Sequence, residues 1–179
     1  MKALLIMDMQ RGAFDPMDAR YDAENVLERI NLLSARFRSL GLPVIFIQHD
    51  GSREGFFIPG TSEWEILDEL GKRSDDVVIV KTANDSFYKT ELDQVLREKG
   101  VDELVITGCS TDFSVDCTVK AGLSRDYLIT VISNAHTTRS RPQMTAMLAV
   151  EYFNMLWARL APTKEKIKLL SCEEFLKNS

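Results

Sequence analysis

Cysteine is scarce in this 179-residue sequence, which holds only Cys109, Cys117 and Cys172. An odd count without a CxxC pair excludes a disulfide framework and a zinc ribbon, and it fits a reducing, cytoplasmic setting. Histidine is scarcer still, with His49 and His136 alone. Catalytic zinc usually takes three protein ligands, so a site here would need carboxylates for most of its donors. Long apolar runs are also missing. The opening run Ala3–Met7 stops at Asp8, too short for a signal-peptide core, and nothing approaches the roughly 18 apolar residues of a membrane-spanning helix. Basic charge is in deficit: 22 Lys+Arg against 27 Asp+Glu give a net charge of −5, which leaves no footprint for nucleic acid or an anionic membrane. What remains, 45% hydrophobic and 27% charged residues, is the composition of a packed globular protein. A chain of this length is expected to form one domain over residues 1–179 and to bury about 70% of its unfolded surface.

Short unbroken apolar runs alternate with stretches of helical period. Strands are expected at Ala3–Met7, Pro43–Ile47, Val77–Val80, Glu103–Thr107, Leu128–Ile132 and Ile167–Leu170. Between them, Asp22 is placed to cap a helix carrying Val26, Leu27, Ile30, Leu33 and Phe37, which Gly41 and Pro43 stop. Further helices are expected over Trp64–Leu70, around Leu92–Leu96, over Phe113–Leu123, after Pro142 and after Ser171. The helix after Pro142 is expected to carry an apolar stripe of Met144, Met147, Leu148, Tyr152, Met155, Leu156 and Leu160. It carries a second apolar group at Ala149, Phe153 and Trp157. Right-handed crossovers then give a Rossmann-like, three-layer α/β/α sandwich around a six-stranded parallel sheet.

Ligands in such sheets bind outside the carboxyl ends of the strands, so the residues just after each run carry the information. Asp8 follows the first strand, Gln48, His49 and Asp50 the second, and Lys81 the third. Gly108–Ser114 follow the fourth, and Asn134–Thr137 the fifth. An acid and a lysine on one edge suggest a buried charge pair tuned for proton transfer. Gly108 permits a sharp strand-to-helix turn whose N–H groups could receive an oxyanion, although a plain capping turn at Ser110, Thr111 or Asp112 fits the composition equally well. Phosphate loops GxxxxGK[ST] and GxGxxG are absent, and the turn lacks the second glycine of a GxSxG elbow.

Five strings occur in order at these strand ends: D-M-Q, I-Q-H-D, V-K-x-x-x-D-S-F-Y-x-T, V-I-T-G-x-x-T-x-x-x-V-x-x-T and N-A-H-T-T-x-x-R-P. Together they resemble the isochorismatase-like cysteine hydrolase superfamily along essentially the whole chain, and most closely its streptothricin-hydrolase-like, metal-free branch. The resemblance implies hydrolysis of a non-peptide C–N bond in a small molecule by an Asp–Lys–Cys triad. Asp8 and Lys81 take the first two positions. The oxyanion would lie on backbone N–H groups of the turn Cys109, Ser110 and Ser114, with the Cys109–Ser110 peptide cis. Pocket walls are expected from Gln10, Phe14, Phe56, Phe57, Trp64, Phe87 and Phe113, with His49 and His136 at strand ends. No metal and no other cofactor is expected, and the partner is a small-molecule substrate.

The third triad position departs from the pattern, because Ser114 stands where the superfamily has cysteine. Three origins stay open: an engineered Cys-to-Ser substitution, a natural serine with changed chemistry, or lost catalysis. Cys117 lies three residues further along the helix and cannot take over. Two other readings accompany the amide hydrolase. One is isochorismatase-type vinyl-ether hydrolysis with Asp8 as general acid, which needs no cysteine; the other is a catalytically silent binding protein. The apolar circumference of the helix after Pro142 leads us to expect a homodimer or homotetramer.

Overall fold

In the computed structural model, which describes residues 1–178, all six strands are parallel and lie in the order β3-β2-β1-β4-β5-β6. They are β1 (Lys2–Met7), β2 (Val44–His49), β3 (Val77–Lys81), β4 (Glu103–Cys109), β5 (Leu128–Thr137) and β6 (Lys168–Leu170). The chain builds outward from β1 to β3 and then returns to lay β4 on the other side of β1. This reversal opens a crevice at the carboxyl ends of β1 and β4.

The helices are α1 (Ala23–Ser39), α2 (Leu92–Glu98), α3 (Asp116–Leu123), α4 (Ala146–Ala158) and α5 (Cys172–Lys177). Because strand side chains alternate, the two faces hold separate cores. On one, Leu4, Ile6, Phe46 and Val105 pack under Ile30, Leu33 and Phe37 of α1, and Phe37 stacks on Phe175 of α5 at 5.9 Å. On the other, Leu5, Met7, Ile47 and Ile106 pack under Leu96, Val119 and Trp157 of α2, α3 and α4. Each fully buried aliphatic or phenyl side chain stabilises the sheet by about 1.5–3 kcal/mol, which makes the strand ends rigid mounts for polar groups.

Several elements differ from the sequence reading. Residues 64–70 form no helix beyond a 3-10 turn at Asp68–Leu70, because the backbone of 63–67 is committed elsewhere. Glu63 and Glu65 carbonyls accept from Gly12 and Arg11 N–H, and Leu67 N–H donates to Met9, so this stretch runs extended against the segment after β1. Asp22 precedes α1 with φ 53° and caps no backbone N–H; its carboxylate accepts instead from Asn25 and Arg29. The fourth strand leads into a π-turn, Thr111–Val115, before α3 begins at Asp116. A register shift opposite Ile106 and Gly108 carries β5 on through Thr137, so residues 134–137 belong to the strand.

Of the two apolar stripes on α4, the structure turns one towards the sheet. Ala149 and Trp157 face the sheet, while Met147, Leu148, Tyr152 and Met155 are exposed. Trp157 decides the face: its indole N–H donates to Asp116 Oδ1 at 2.9 Å and its ring meets His136 edge-on at 5.2 Å. No helix among the described residues is long and apolar enough to cross a membrane.

Candidate active site

Lys81 closes β3 with its side chain turned inward, 1% exposed. Its ammonium donates to Asp8 Oδ2 at 2.8 Å, to Ser114 Oγ at 3.0 Å and to the Ala83 carbonyl at 3.0 Å. An ammonium has three N–H donors, and all are used here. The three residues thus converge from β1, β3 and the π-turn, each held by a different crossover. Asp8 leaves β1 in the left-handed region, φ 44°, a conformation aspartate tolerates better than most residues. Its N–H still bonds the Ile47 carbonyl. Its second oxygen, Oδ1, is buried without a hydrogen-bond partner among the described residues. One carboxylate oxygen is therefore fixed by Lys81, and the other is left unpaired among the described residues.

The turn that carries Ser114 depends on Gly108, at φ 104°, where a Cβ would strike the Met7 backbone on the neighbouring strand. Only glycine lets β4 approach β1 this closely. The Cys109–Ser110 peptide that follows is cis. Cys109 Sγ donates to the Asp8 carbonyl at 3.0 Å, and burial pushes its thiol up to about 11. It is a packed neighbour of the turn and a poor thiolate.

The turn is braced from beneath by His136, which pairs in register with Gly108. Asn154 donates its amide N–H to the Ser133 carbonyl and presents Oδ1 to His136 Nε2 at 3.0 Å. That acceptor places the imidazole proton on Nε2, so Nδ1 accepts from the Thr111 hydroxyl at 2.9 Å. Burial holds this histidine down at about 4, and it is neutral at pH 7.

Above the triad lies a cavity of about 740 Å³. Asp8, Cys109, Ser110 and Ser114 form its floor, and Phe56, Phe57, Phe113 and His49 are among its walls. Burial, then the Lys81 charge, lowers the pKa of His49. Several expected pocket residues stand elsewhere. Gln10 is fully buried as a bracket: its amide donates to the His49 and Trp64 carbonyls, and its Oε1 accepts from His49 N–H. Trp64 lines a neighbouring cavity of about 380 Å³ with Gln48. Phe14 belongs to the α1 core, Phe87 stacks on Tyr127 in the opposite core, and His136 lies under the turn. Among the described residues no cluster of three His, Cys, Asp or Glu side chains could hold a metal ion.

The sequence reading missed the charged wall: Arg20, Arg139 and Arg141, with Glu54 and Glu63. Arg141 sits inside the string N-A-H-T-T-x-x-R-P, which was a usable signal. Arg20 and Glu63 come from irregular segments with no periodicity to mark them.

Residues 2–159 match the isochorismatase domain. Among similar proteins, the uncharacterized isochorismatase family protein YddQ of Bacillus subtilis is 33% identical over 139 residues, covering 76% of this chain and 77% of YddQ. A streptothricin hydrolase of Streptomyces noursei is 30% identical over 141 residues, covering 79% of this chain but 56% of that enzyme. The ureidoacrylate amidohydrolase RutB of Pseudomonas syringae is 27% identical over 191 residues, covering 84% of this chain and 77% of RutB. A crystal structure described as an isochorismatase family protein superposes with a TM-score of 0.86 at 28% identity, covering 95% of this chain and 98% of that one. The sheet order, the strand-end strings and these likenesses agree: the chain belongs to the isochorismatase family of hydrolases.

Proposed function

We propose that this protein hydrolyses an amide-type, non-peptide C–N bond in a small molecule through Asp8, Lys81 and Ser114. The observation that carries the reading is the Lys81 ammonium bridging Asp8 Oδ2 and Ser114 Oγ, while Asp8 Oδ1 stays unpartnered beside the cavity. Ser114 Oγ attacks the carbonyl carbon and its proton passes to Asp8 Oδ1. That proton then goes to the departing nitrogen as the C–N bond breaks, leaving an ester on Ser114. Water, deprotonated by Asp8, hydrolyses the ester and restores the hydroxyl. Lys81 stabilises the alkoxide as it forms, and the backbone N–H groups of Ser110 and Ser114 receive the carbonyl oxyanion. The similar ureidoacrylate amidohydrolase acts, by its name, on a bond that fits this reading, and the similar streptothricin hydrolase is by its name a hydrolase of a small molecule.

A serine hydroxyl is a far weaker acid than a thiol of pKa about 8.5, so the Lys81 charge that would activate a cysteine leaves Ser114 protonated and slow. That favours a second reading, vinyl-ether hydrolysis with Asp8 as general acid, in which residue 114 forms no bond. Ammonia release and enol-ether cleavage, measured on panels of both substrate types with the protein and with Asp8→Asn and Ser114→Ala, separate them. Loss in both variants supports the amide reading, and loss in Asp8→Asn alone supports the ether reading. Inertness of the protein on both panels, with binding retained, supports a silent binding protein. We also propose a cytoplasmic homodimer or homotetramer; the exposed apolar face of α4 and the three free thiols support it.

A further inference from the structure

The cavity carries positive charge that the triad does not use. Arg20 donates Nε–H to the Ala13 carbonyl at 2.7 Å and Nη1–H to Ser110 Oγ at 2.6 Å, and its guanidinium lies 5.7 Å from the centre of the Phe14 ring. Three contacts hold it, yet all of these partners are uncharged. Arg139, exposed at the cavity wall, has no side-chain partner among the described residues. Arg141 differs: Asp112 takes its charge, and its guanidinium packs 4.8 Å from the Phe113 ring centre. Two guanidinium groups therefore face the substrate space without a carboxylate, and one touches Ser110, in the turn that positions Ser114.

A guanidinium held by neutral acceptors keeps its planar fork pre-organised and its charge uncompensated, which is the condition for strong bidentate capture of a carboxylate. The alternative lies on the loop that carries Glu54 and Glu63, which could attract a cation. Glu54 is exposed, and its only ion-pair neighbour among the described residues is His49 at 3.8 Å, whose pKa burial lowers. Glu63 has no ion pair among the described residues. Neither acid is fixed as Arg20 is, and neither touches the turn of the triad. Accepting the amide reading above, we infer that the substrate is a small amide bearing a carboxylate, clamped by Arg20 and Arg139 beside Ser114.

Matched four-carbon amides test this directly: succinamate, butyramide and 4-aminobutanamide share the amide and differ in the far end, which is a carboxylate, a methyl group and an aminomethyl cation. Each is titrated into the full chain and followed by protein NMR, which needs no turnover. Succinamate is expected to bind about tenfold or more tightly than butyramide. The preference should fall in Arg139→Gln and in Arg20→Gln, and partly survive in Arg139→Lys. The Arg139 side chain has no partner among the described residues, so its variants keep the test decisive if loss of the Arg20 contacts unfolds the turn. Equal binding of the three amides, no binding of succinamate, or a preference for 4-aminobutanamide overturns the inference. Ammonia assayed in the same samples keeps the two proposals apart. Carboxylate preference without hydrolysis sinks the amidase reading alone, and hydrolysis without preference sinks the clamp alone.

Discussion

Replacing Lys81 by methionine removes a charge from a buried polar cluster and leaves a side chain of similar length. The Lys81–Asp8 contact is 2.8 Å long, with side chains 0% and 10% exposed. At that separation, and at an effective dielectric near 20, the attraction is about 6 kcal/mol. Desolvating two ions opposes it by several kcal/mol each, so the intact pair contributes little net stability. Breaking it is another matter. Lys81→Met strands the Asp8 carboxylate, with Oδ1 already unpartnered, and removes the donor to the Ala83 carbonyl. An uncompensated buried charge costs about 3–5 kcal/mol, a large share of the roughly 5–15 kcal/mol that holds a domain folded. Urea unfolding at pH 7 should show the midpoint falling by about 2 M for a slope near 2 kcal/mol/M. The double variant Asp8→Asn with Lys81→Met should recover more than half of that loss, because no charge is left to strand. A single variant costing about 1 kcal/mol or less, or a double variant costing as much as the single, would refute the buried-pair argument.

Two further outcomes follow from the same geometry. His136 falls from 6.5 to about 4 on folding because burial disfavours its cation, so its stabilisation is complete above pH 6.5 and lost as pH drops towards 4. That loss should be on the order of 3 kcal/mol in denaturant titrations, and His136→Gln should remove most of the slope; an unchanged slope contradicts the neutral imidazole assigned above. The outward face of α4 should drive self-association: light scattering is expected to give a multiple of 20.3 kDa, and Leu148→Glu with Met155→Glu to give the monomer, whereas a monomeric parent overturns the assembly proposal.

The strands and their polar ends were legible because a buried parallel strand is an unbroken apolar run, and the residue ending it must sit at the carboxyl edge. Topology alone therefore brought Asp8, Lys81 and the stretch from Gly108 to Ser114 to one edge, and the resemblance to the superfamily singled out Ser114 within that stretch. Side-chain direction was less legible. His136 looked like an edge residue until the register shift opposite Gly108 prolonged β5 and turned its ring beneath the π-turn. Trp64 looked like a pocket wall, but its segment spends its backbone N–H and C=O groups on residues 9–12, which carries the indole to the neighbouring cavity. In α4 both stripes are apolar, so periodicity could not choose between them. The indole hydrogen bond to Asp116 chose, a contact between residues 41 apart. Arg20 and Arg139 gave no signal, because long side chains from irregular segments reach the cavity by tertiary placement alone.

The central claim is that residue 114 occupies a nucleophile's position governed by Asp8 and Lys81, and Ser114→Cys tests it most directly. Background reactivity is low, since burial pushes Cys109 and Cys172 up to about 11 and raises Cys117 as well. The variant is expected to gain amide hydrolysis well above the slow parent. Iodoacetamide should inactivate it by labelling residue 114 at neutral pH, and substrate amides should protect it. A parent that already turns over fast with a burst of acyl-enzyme, or a Ser114→Cys variant whose new thiol is as inert as that of Cys109 towards both iodoacetamide and amides, would contradict the account.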